Sequence, residues 1–356
     1  MRSRDVIRTL QLYDQARLPA MLWGQPGVGK SEIVAQFAGE RPVFDVRLAL
    51  LDPTDLRGIP YYDADTKTAK WGQSTILPRD IEGERDAVLF LDEINSAPGI
   101  VQAAAYQLVL DRKVGEYKLP DGVTIIAAGN RQSDKGVTFT MPTPLQNRFA
   151  HIDFECNVED WIDHAVSKNI SPTILGFINF KKEMLNQFET RAKSNAFATP
   201  RAWFFADRVM RGLEKNDNPE ENLESFFAKQ LISGIVGDGA AAEFMAFVKV
   251  ASKLPDPNKI LNGTLKTLPE NVAKDLSIHF TLANSLNQAL SEAKNSKEPK
   301  FKEYVDNYLA FVMEFNDEIV MFMVQDMMQK RGVMLNGHNN FTTLVKRFEK
   351  LRHLMA

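Results

Sequence analysis

The fold of this chain is decided by eight consecutive residues, Gly24-Gln25-Pro26-Gly27-Val28-Gly29-Lys30-Ser31. They satisfy the pattern G-x-x-x-x-G-K-[ST], in which the backbone N–H groups of a glycine-rich turn cradle phosphate oxygens. The apolar run at 20–23 predicts a strand before the motif, and residues 31–39 predict a helix after it. We therefore expect all eight residues to bind a nucleotide. Lys30 would reach the β- and γ-phosphates, and the Ser31 hydroxyl would coordinate Mg²⁺.

Two later strands are expected to bring acidic and amide side chains to the same place. The apolar segment VLFLDE at 88–93 ends in Asp92 and Glu93, and TIIAAGN at 124–130 ends in Asn130. Ligands of parallel α/β sheets bind at the carboxyl ends of the strands. We expect Asp92 to hold Mg²⁺ through water and Glu93 to act as the general base for an attacking water. Asn130 would orient that water and sense the γ-phosphate, or it is simply a turn-forming residue.

Strand-like and helix-like segments alternate over the first 155 residues. The strand-like runs lie at 20–23, 43–48, 87–92, 124–130 and 151–156. This alternation predicts an α/β fold with a parallel five-stranded sheet covered on both faces, and the motifs at 24–31 and 88–93 make it one of the P-loop NTPase type. Strand patterns stop after Asn157. We expect an α/β ATPase core at 1–155, an all-α lid at 156–216, and a helical C-terminal extension at 217–356 that completes the lid or binds a partner.

Composition excludes several classes of protein. The chain has 356 residues with 43 basic and 46 acidic side chains, and this balance disfavours a strongly basic nucleic-acid coat. The single cysteine, Cys156, is typical of a reducing compartment and is expected to be a small core residue. The sequence contains no apolar run of the ~18 to 20 residues that a membrane span needs and no secretory signal. We expect a cytoplasmic protein without a membrane segment.

Taken together, the motifs resemble those of AAA+ ATPases. The resemblance rests on GQPGVGKS, FLDE, the strand that ends in Asn130, Asn147-Arg148-Phe149, and Thr199-Pro200-Arg201-Ala202. The sequence is most similar to the MoxR-like branch, within the helix-2-insert clade that also contains dynein-related AAA domains. Motifs carry the resemblance over residues 1–215, and it extends more weakly to about residue 290.

The resemblance implies roles for three further side chains. Asn130 matches sensor 1, Arg148 matches the arginine finger that enters a neighbouring subunit's site, and Arg201 matches sensor 2 of the lid. A fixed guanidinium facing the transferred phosphoryl group is worth about 10³ to 10⁵ in rate. The alternatives are a surface ion-pair residue for Arg148 and a helix-start charge for Arg201. Arg131 follows the sensor where many relatives have Pro, and it is either a phosphate or subunit contact or a loop charge.

The segment at 51–80 resembles the part of the family that carries the helix-2 insert. Such loops face the central pore of a ring, and residues 114–121 resemble a second hairpin before the sensor strand. The insert contains three aromatic residues, Tyr61, Tyr62 and Trp71. These side chains either contact a partner or pack on their own hairpin.

Three functions remain for such a chain. In the first, a homo-oligomeric, hexameric ring uses Mg²⁺ and ATP to remodel a protein client, and a von Willebrand factor A domain protein on another chain is its partner. The second is a nucleic-acid motor, such as a restriction translocase subunit or a helicase loader, but acids offset the basic residues of the insert. The third is a non-hydrolysing nucleotide switch or scaffold. The intact Asp92-Glu93 pair argues against this third function.

Overall fold

The computed structural model describes residues 1–131, 134, 139–188, 195–215, 223, 225–269 and 278–347. The chain divides into two units, Met1–Asn157 and Val158–Ala356. The predicted boundary at residue 216 lies outside the described residues, and the three-part division stays a prediction. Among the described residues, no helix has the length and apolar character needed to cross a membrane.

The first unit is built on a parallel sheet. The strands in its described residues are β1 Ala20–Trp23, β2 Val43–Arg47, β3 Ile59–Asp63, β4 Thr68–Gly72, β5 Val88–Asp92, β6 Lys113–Val114, β7 Tyr117–Lys118, β8 Thr124–Gly129 and β9 Ala150–Asp153. Five of them form the main sheet in the order β2-β5-β8-β1-β9, and every neighbouring pair in it is parallel. The predicted α/β fold with a parallel five-stranded sheet is confirmed.

Helices cover both faces of this sheet. The first unit contains α1 Ser3–Gln15, α2 Lys30–Ala38, α3 Pro53–Arg57, α4 Gly99–Asp111 and α5 Thr143–Gln146. Successive strand residues point to opposite faces, so Val88 and Phe90 pack with α1 and α2, whereas Leu89 and Leu91 pack with α4. Both faces of β5 are therefore buried, and each of these large side chains contributes about 1.5–3 kcal/mol of hydrophobic free energy.

Helix α1 is an element that the sequence pattern did not predict. Its apolar side is narrow, with Val6 and Leu10 as its buried positions, and charged residues surround them. The backbone N–H groups of Ala16 and Leu18 donate to Leu12 and Tyr13 at the C-terminal end of the helix. The helix covers one face of the sheet next to α2, and this packing stabilises a segment whose own sequence signal is weak.

Two small antiparallel hairpins project from the first unit. Strands β3 and β4, which lie between β2 and β5 in the sequence, pair with each other where the sequence suggested an insert. Strands β6 and β7 pair with each other before β8. The first hairpin begins at Gly58, whose φ is +88°. A Cβ atom there would lie 1.9 Å from the Gly72 carbonyl oxygen, so the close pairing of the two strands requires glycine.

The second unit is helical in its described residues, as predicted for the region after Asn157. Its helices are α6 Val158–Ser167, α7 Pro172–Phe180, α8 Pro200–Glu214, α9 Phe226–Val236, α10 Asp238–Ala251, α11 Pro257–Leu261, α12 His279–Asn295, α13 Phe301–Val312, α14 Asp317–Gln325 and α15 Phe341–Arg347. The sequence pattern predicts one helix from Pro172 to about Thr190 and a continuous helical tail from Phe301. In the structure α7 ends at Phe180, and a π-helical turn at 326–330 follows α14.

Aromatic rings fill the core of this second unit. Phe177, Trp203 and Phe244 lie within 5.2–5.5 Å of one another by ring centroid, in tilted or edge-to-face arrangements. Helix α7 also crosses α12 so closely that a Cβ on Gly176 would lie 2.0 Å from Thr281 Oγ1. The small residue at 176 therefore sets the distance between these two helices.

Candidate nucleotide-binding site

The phosphate-loop residues lie where the motif requires them. Gly24–Gly29 connect β1 to α2, and the helix begins at Lys30. Gly27 and Gly29 have φ values of +78° and +106°, a region that side chains disfavour. Gly24 has a different reason for being glycine, because a Cβ there would lie 2.8 Å from the Phe154 carbonyl oxygen. The glycines therefore let the loop curl at the carboxyl end of β1.

Lys30 joins this loop to the end of β8. Its Nζ donates to the carbonyl oxygens of Gly24 at 2.6 Å and Gln25 at 3.2 Å, and to Asn130 Oδ1 at 2.9 Å. The ammonium group is thus held over the loop and beside the end of β8. Ser31 is the next residue of the helix and is exposed. The structure brings together the phosphate loop and Asn130, as predicted for the carboxyl edge of the sheet.

Asp92 and Glu93 lie at the same edge, at the end of the neighbouring strand. Glu93 is exposed and has φ +56°, a conformation that non-glycine residues adopt at some energetic cost, and its N–H donates to Asp92 Oδ1 at 2.9 Å. Burial raises the pKa of the Asp92 carboxyl above its ordinary value. The Glu93 N–H and the charge of Lys30 oppose this rise, whereas Glu93 and Asp45 add to it.

These surroundings fit a magnesium ion bound together with phosphate. Asp92 is a partly desolvated carboxylate whose negative charge is opposed by two other acids, and a cation would relieve this repulsion. Carboxylate and hydroxyl oxygens, such as those of Asp92 and Ser31, are the ligand type that Mg²⁺ prefers. Within the described part of the chain, no three acidic, histidine or cysteine side chains form a complete metal site. Magnesium sites that are completed by substrate phosphates need fewer protein ligands.

The sequence reasoning missed one buried side chain, that of Asn95. It is 3% exposed and lies in the 3₁₀ turn that follows Glu93. Its Nδ2 donates to the Asn130 carbonyl oxygen at 2.7 Å, and its Oδ1 accepts from the Asn130 N–H at 3.2 Å. No local pattern marks this residue, because its partners lie 35 positions away on another strand.

The two predicted arginines lie in different units. Arg148 is exposed in the turn between α5 and β9, and the described residues offer its guanidinium no hydrogen-bond or ion-pair partner. Arg201 is exposed in the first turn of α8, next to Thr199, whose hydroxyl caps that helix by accepting from the Ala202 N–H. The roles of both arginines at a phosphate group stay predictions.

Arg131, the departure from the family pattern, forms ion pairs within the first unit. Its Nη2 lies 2.9 Å from Asp153 Oδ1 and 3.7 Å from Glu155 Oε1. Its side chain is about one-third exposed, so these pairs contribute little, of the order of 1 kcal/mol or less. They do connect the residue after Asn130 to the end of β9, and they account for a basic residue at this position.

The insert aromatics divide between the two alternatives. Tyr61 and Tyr62 are 54% and 69% exposed on β3, and Ile59 on the same strand is 70% exposed. Trp71 is half-buried, and its backbone N–H donates to Glu116 Oε2 of the second hairpin at 3.3 Å. Ile59 and Tyr61 therefore lie exposed on one face of β3 and Tyr62 on the other, whereas the main chain at Trp71 links the two hairpins.

Comparison with known proteins supports what this geometry indicates. Residues 19–149 match the AAA domain family of the dynein-related subfamily. Midasin of Giardia intestinalis is 28% identical over 171 residues, which cover 45% of this chain and 4% of midasin, so the chain spans only a small part of that relative's length. A putative ATPase from Cytophaga hutchinsonii is 17% identical, with 71% of this chain and 89% of that chain covered and a TM-score of 0.35. A mutant of RuvB from Thermotoga maritima is 15% identical, with 85% of each chain covered and a TM-score of 0.40.

The matched residues contain the phosphate loop, Asp92, Glu93 and Asn130, and they end directly after Arg148. They also contain the five-stranded sheet, apart from its last strand, β9. Residues 19–149 are therefore similar to the AAA domain of the dynein-related subfamily, and the residues of the candidate nucleotide site lie within this matched segment.

Proposed function

We propose that this chain hydrolyses ATP with Mg²⁺ and works in a homo-oligomeric, hexameric ring that remodels a protein client. The observation that carries the proposal is the meeting of four groups at one sheet edge. Lys30 lies over the phosphate loop and bonds Asn130, and Asp92 and Glu93 end the adjacent strand. Binding alone requires the loop, whereas hydrolysis also requires an exposed base, which Glu93 provides.

Each group has one task in the proposed reaction. The backbone N–H groups of residues 24–29 and the Lys30 ammonium bind the β- and γ-phosphates and balance the charge that spreads over the γ-oxygens. Glu93 accepts a proton from the attacking water, and Asn130 orients that water. Ser31 and Asp92 would hold Mg²⁺, which neutralises phosphate charge when it is bound. The Arg148 guanidinium acts on the site of a neighbouring subunit, and Arg201 acts from the lid of its own subunit.

The exposed surface of the insert supports a protein client over a nucleic acid. Two exposed tyrosines and Ile59 offer apolar contact area, which protein partners use. Two of the basic residues nearby are already paired, since Lys70 contacts Asp63 in an ion pair and Arg79 Nη2 lies 2.8 Å from Glu84 Oε1. Fewer free cations remain to bind a phosphate backbone.

The resemblance to MoxR-like proteins supports a von Willebrand factor A domain partner on another chain. A single cysteine, the half-buried Cys156, fits a reducing compartment, and we place the protein in the cytoplasm on that ground. Stimulation of ATP turnover by a candidate client or by the von Willebrand factor A protein, compared with single- and double-stranded DNA, separates the two kinds of motor. Stimulation by DNA alone would refute the protein-client proposal.

Glu93→Gln tests the assignment of the base. The variant is expected to bind ATP with wild-type affinity and to lose turnover by about 10²- to 10⁴-fold, because the amide cannot accept the proton. Glu82→Gln removes an exposed acid of the same unit, outside the site, and is the matched control. Turnover that survives Glu93→Gln would show that another group is the base.

Mixing of two inactive variants tests whether Arg148 acts between subunits. Arg148→Ala alone should bind ATP but not hydrolyse it. Mixed rings of Arg148→Ala and Glu93→Gln subunits contain sites with an intact Glu93 facing an intact Arg148, and partial activity should return. If no activity returns while native mass measurements show mixed rings, the finger assignment is wrong.

A further inference from the structure

Asn95 occupies a position that connects the two strand ends of the site. It follows Glu93 by two residues, and the Ser96 N–H donates to the Glu93 carbonyl oxygen at 2.8 Å, which closes the turn around it. The Asn95 carbonyl oxygen accepts from the Phe139 N–H at 2.7 Å. Its main chain is therefore held on both sides, and its side chain is nearly fully buried at 3% exposure.

The side-chain amide of Asn95 bonds both polar groups of one residue's main chain. Nδ2 donates to the Asn130 carbonyl oxygen at 2.7 Å, and Oδ1 accepts from the Asn130 N–H at 3.2 Å. These two bonds define the orientation of the Asn130 main chain, from which its side chain extends to Lys30 Nζ at 2.9 Å. Alanine at position 95 would supply neither bond, and an ionised aspartate would supply acceptors only.

The neighbouring residue leaves room for this contact. A Cβ atom on Gly129 would lie 2.5 Å from Asn95 Oδ1 and 2.7 Å from Met21 Cε. Any larger residue at 129 would push the Asn95 amide away from the Asn130 main chain. The pair of hydrogen bonds to Asn130 therefore requires both the amide at position 95 and a glycine at position 129.

We propose that Asn95 is a positioning residue that places Asn130 relative to Glu93 for hydrolysis. The inference rests on the proposed ATPase function and adds a residue to it. Asn95 acts through Asn130, because its side-chain amide bonds the Asn130 main chain. Its own main chain belongs to the turn that follows Glu93. Loss of this contact lets the Asn130 side chain rotate away from the attacking water, so the rate falls while the phosphate loop and ATP binding remain.

Asn95→Ala and Asn95→Asp test this role. Both are expected to lower kcat by about 10- to 100-fold, as loss of an orienting partner commonly does, with the Kd for ATP changed less than about threefold. Gln102→Ala is the matched control, because Gln102 is also a buried amide of the first unit and donates to the Ala97 carbonyl oxygen at 2.9 Å, outside the site. It should reduce the melting temperature without reducing kcat.

A double-mutant cycle with Asn130→Ala decides between positioning and a general structural role. If Asn95 acts through Asn130, then Asn95→Ala should cause no further loss of kcat in the Asn130→Ala background. If the two substitutions each lower kcat by an independent factor, or if Asn95→Ala weakens ATP binding as much as it lowers kcat, the inference is wrong. Turnover that still depends on Glu93 would leave the proposed function intact. Absence of ATP turnover in the unmodified protein would refute both.

Discussion

At the scale of single residues, the charge of Asp92 lowers the stability of the folded chain. Its carboxylate is partly buried and lies near two other acids, and the opposing Lys30 charge does not fully offset the desolvation. The charged form is therefore less favourable in the folded chain than in the unfolded chain. An acid with an unfavourable charge at a sheet edge is typical of a ligand site, and it supports the proposed role of Asp92.

Asp92→Asn is expected to raise the free energy of unfolding at pH 7.5. The pKa of Asp92 is raised in the folded state, so the native protein bears a penalty at any pH above the ordinary carboxyl value of 3.8. The penalty declines as pH falls through the raised pKa and vanishes below both values. The advantage of the amide should therefore be largest at pH 7.5 and shrink toward pH 4.

Denaturant unfolding of both proteins at several pH values measures this difference. ATP turnover of the same variant should be lost, because an amide is a poor magnesium ligand. If the variant is less stable than the wild type at pH 7.5, or if the difference in their free energies of unfolding does not change with pH, the pKa of Asp92 is not raised in the folded state.

At the scale of elements, glycine decides how closely two helices pack. Gly176 in α7 faces Thr281 in α12 at a distance that excludes even a methyl group. Gly212 in α8 has no atom within 4 Å of the position of a Cβ and is exposed. The same substitution should therefore have opposite effects at these two positions.

Gly176→Ala is expected to destabilise the protein by about 1–3 kcal/mol, because the helices must separate to admit the methyl group. Gly212→Ala should stabilise it by about 0.5–1 kcal/mol, since alanine favours the helix. Equilibrium unfolding in urea measures both changes. If both substitutions change the free energy of unfolding in the same direction and by similar amounts, then helix propensity, and not the crossing of α7 and α12, controls position 176.

At the scale of the whole molecule, the proposed ring makes activity depend on assembly. Arg148 is exposed and has no partner among the described residues, a state expected of a side chain that acts on a neighbour. A lone subunit would then lack one essential cation at its own site.

Specific ATPase activity is therefore expected to rise with protein concentration and to reach a plateau when assembly is complete. Turnover per chain, measured over a dilution series alongside light scattering, should follow the oligomer fraction. Constant specific activity in the monomer would contradict a finger supplied by another subunit. Arg148→Ala in the same series should remain inactive at all concentrations.

Local sequence patterns are enough to predict the parallel sheet and the residues of the phosphate loop. Residues 24–31, the FLDE strand end and Asn130 are local patterns, and their meaning depends on neighbours within a few residues. A loop that binds phosphate needs glycines and lysine at fixed spacing, and buried parallel strands need continuous apolar runs. These requirements are short in range, so the sequence displays them directly.

Which distant polar groups meet depends on the three-dimensional packing of the chain. Asn95 bonds Asn130, Arg131 pairs with Asp153, and neither contact leaves a pattern in the sequence. Helix α1 and the break in the helical tail were also absent from the prediction. The physical reason is that a buried hydrogen bond depends on where packing places two strands, and residues 35 positions apart in the chain carry no shared periodicity.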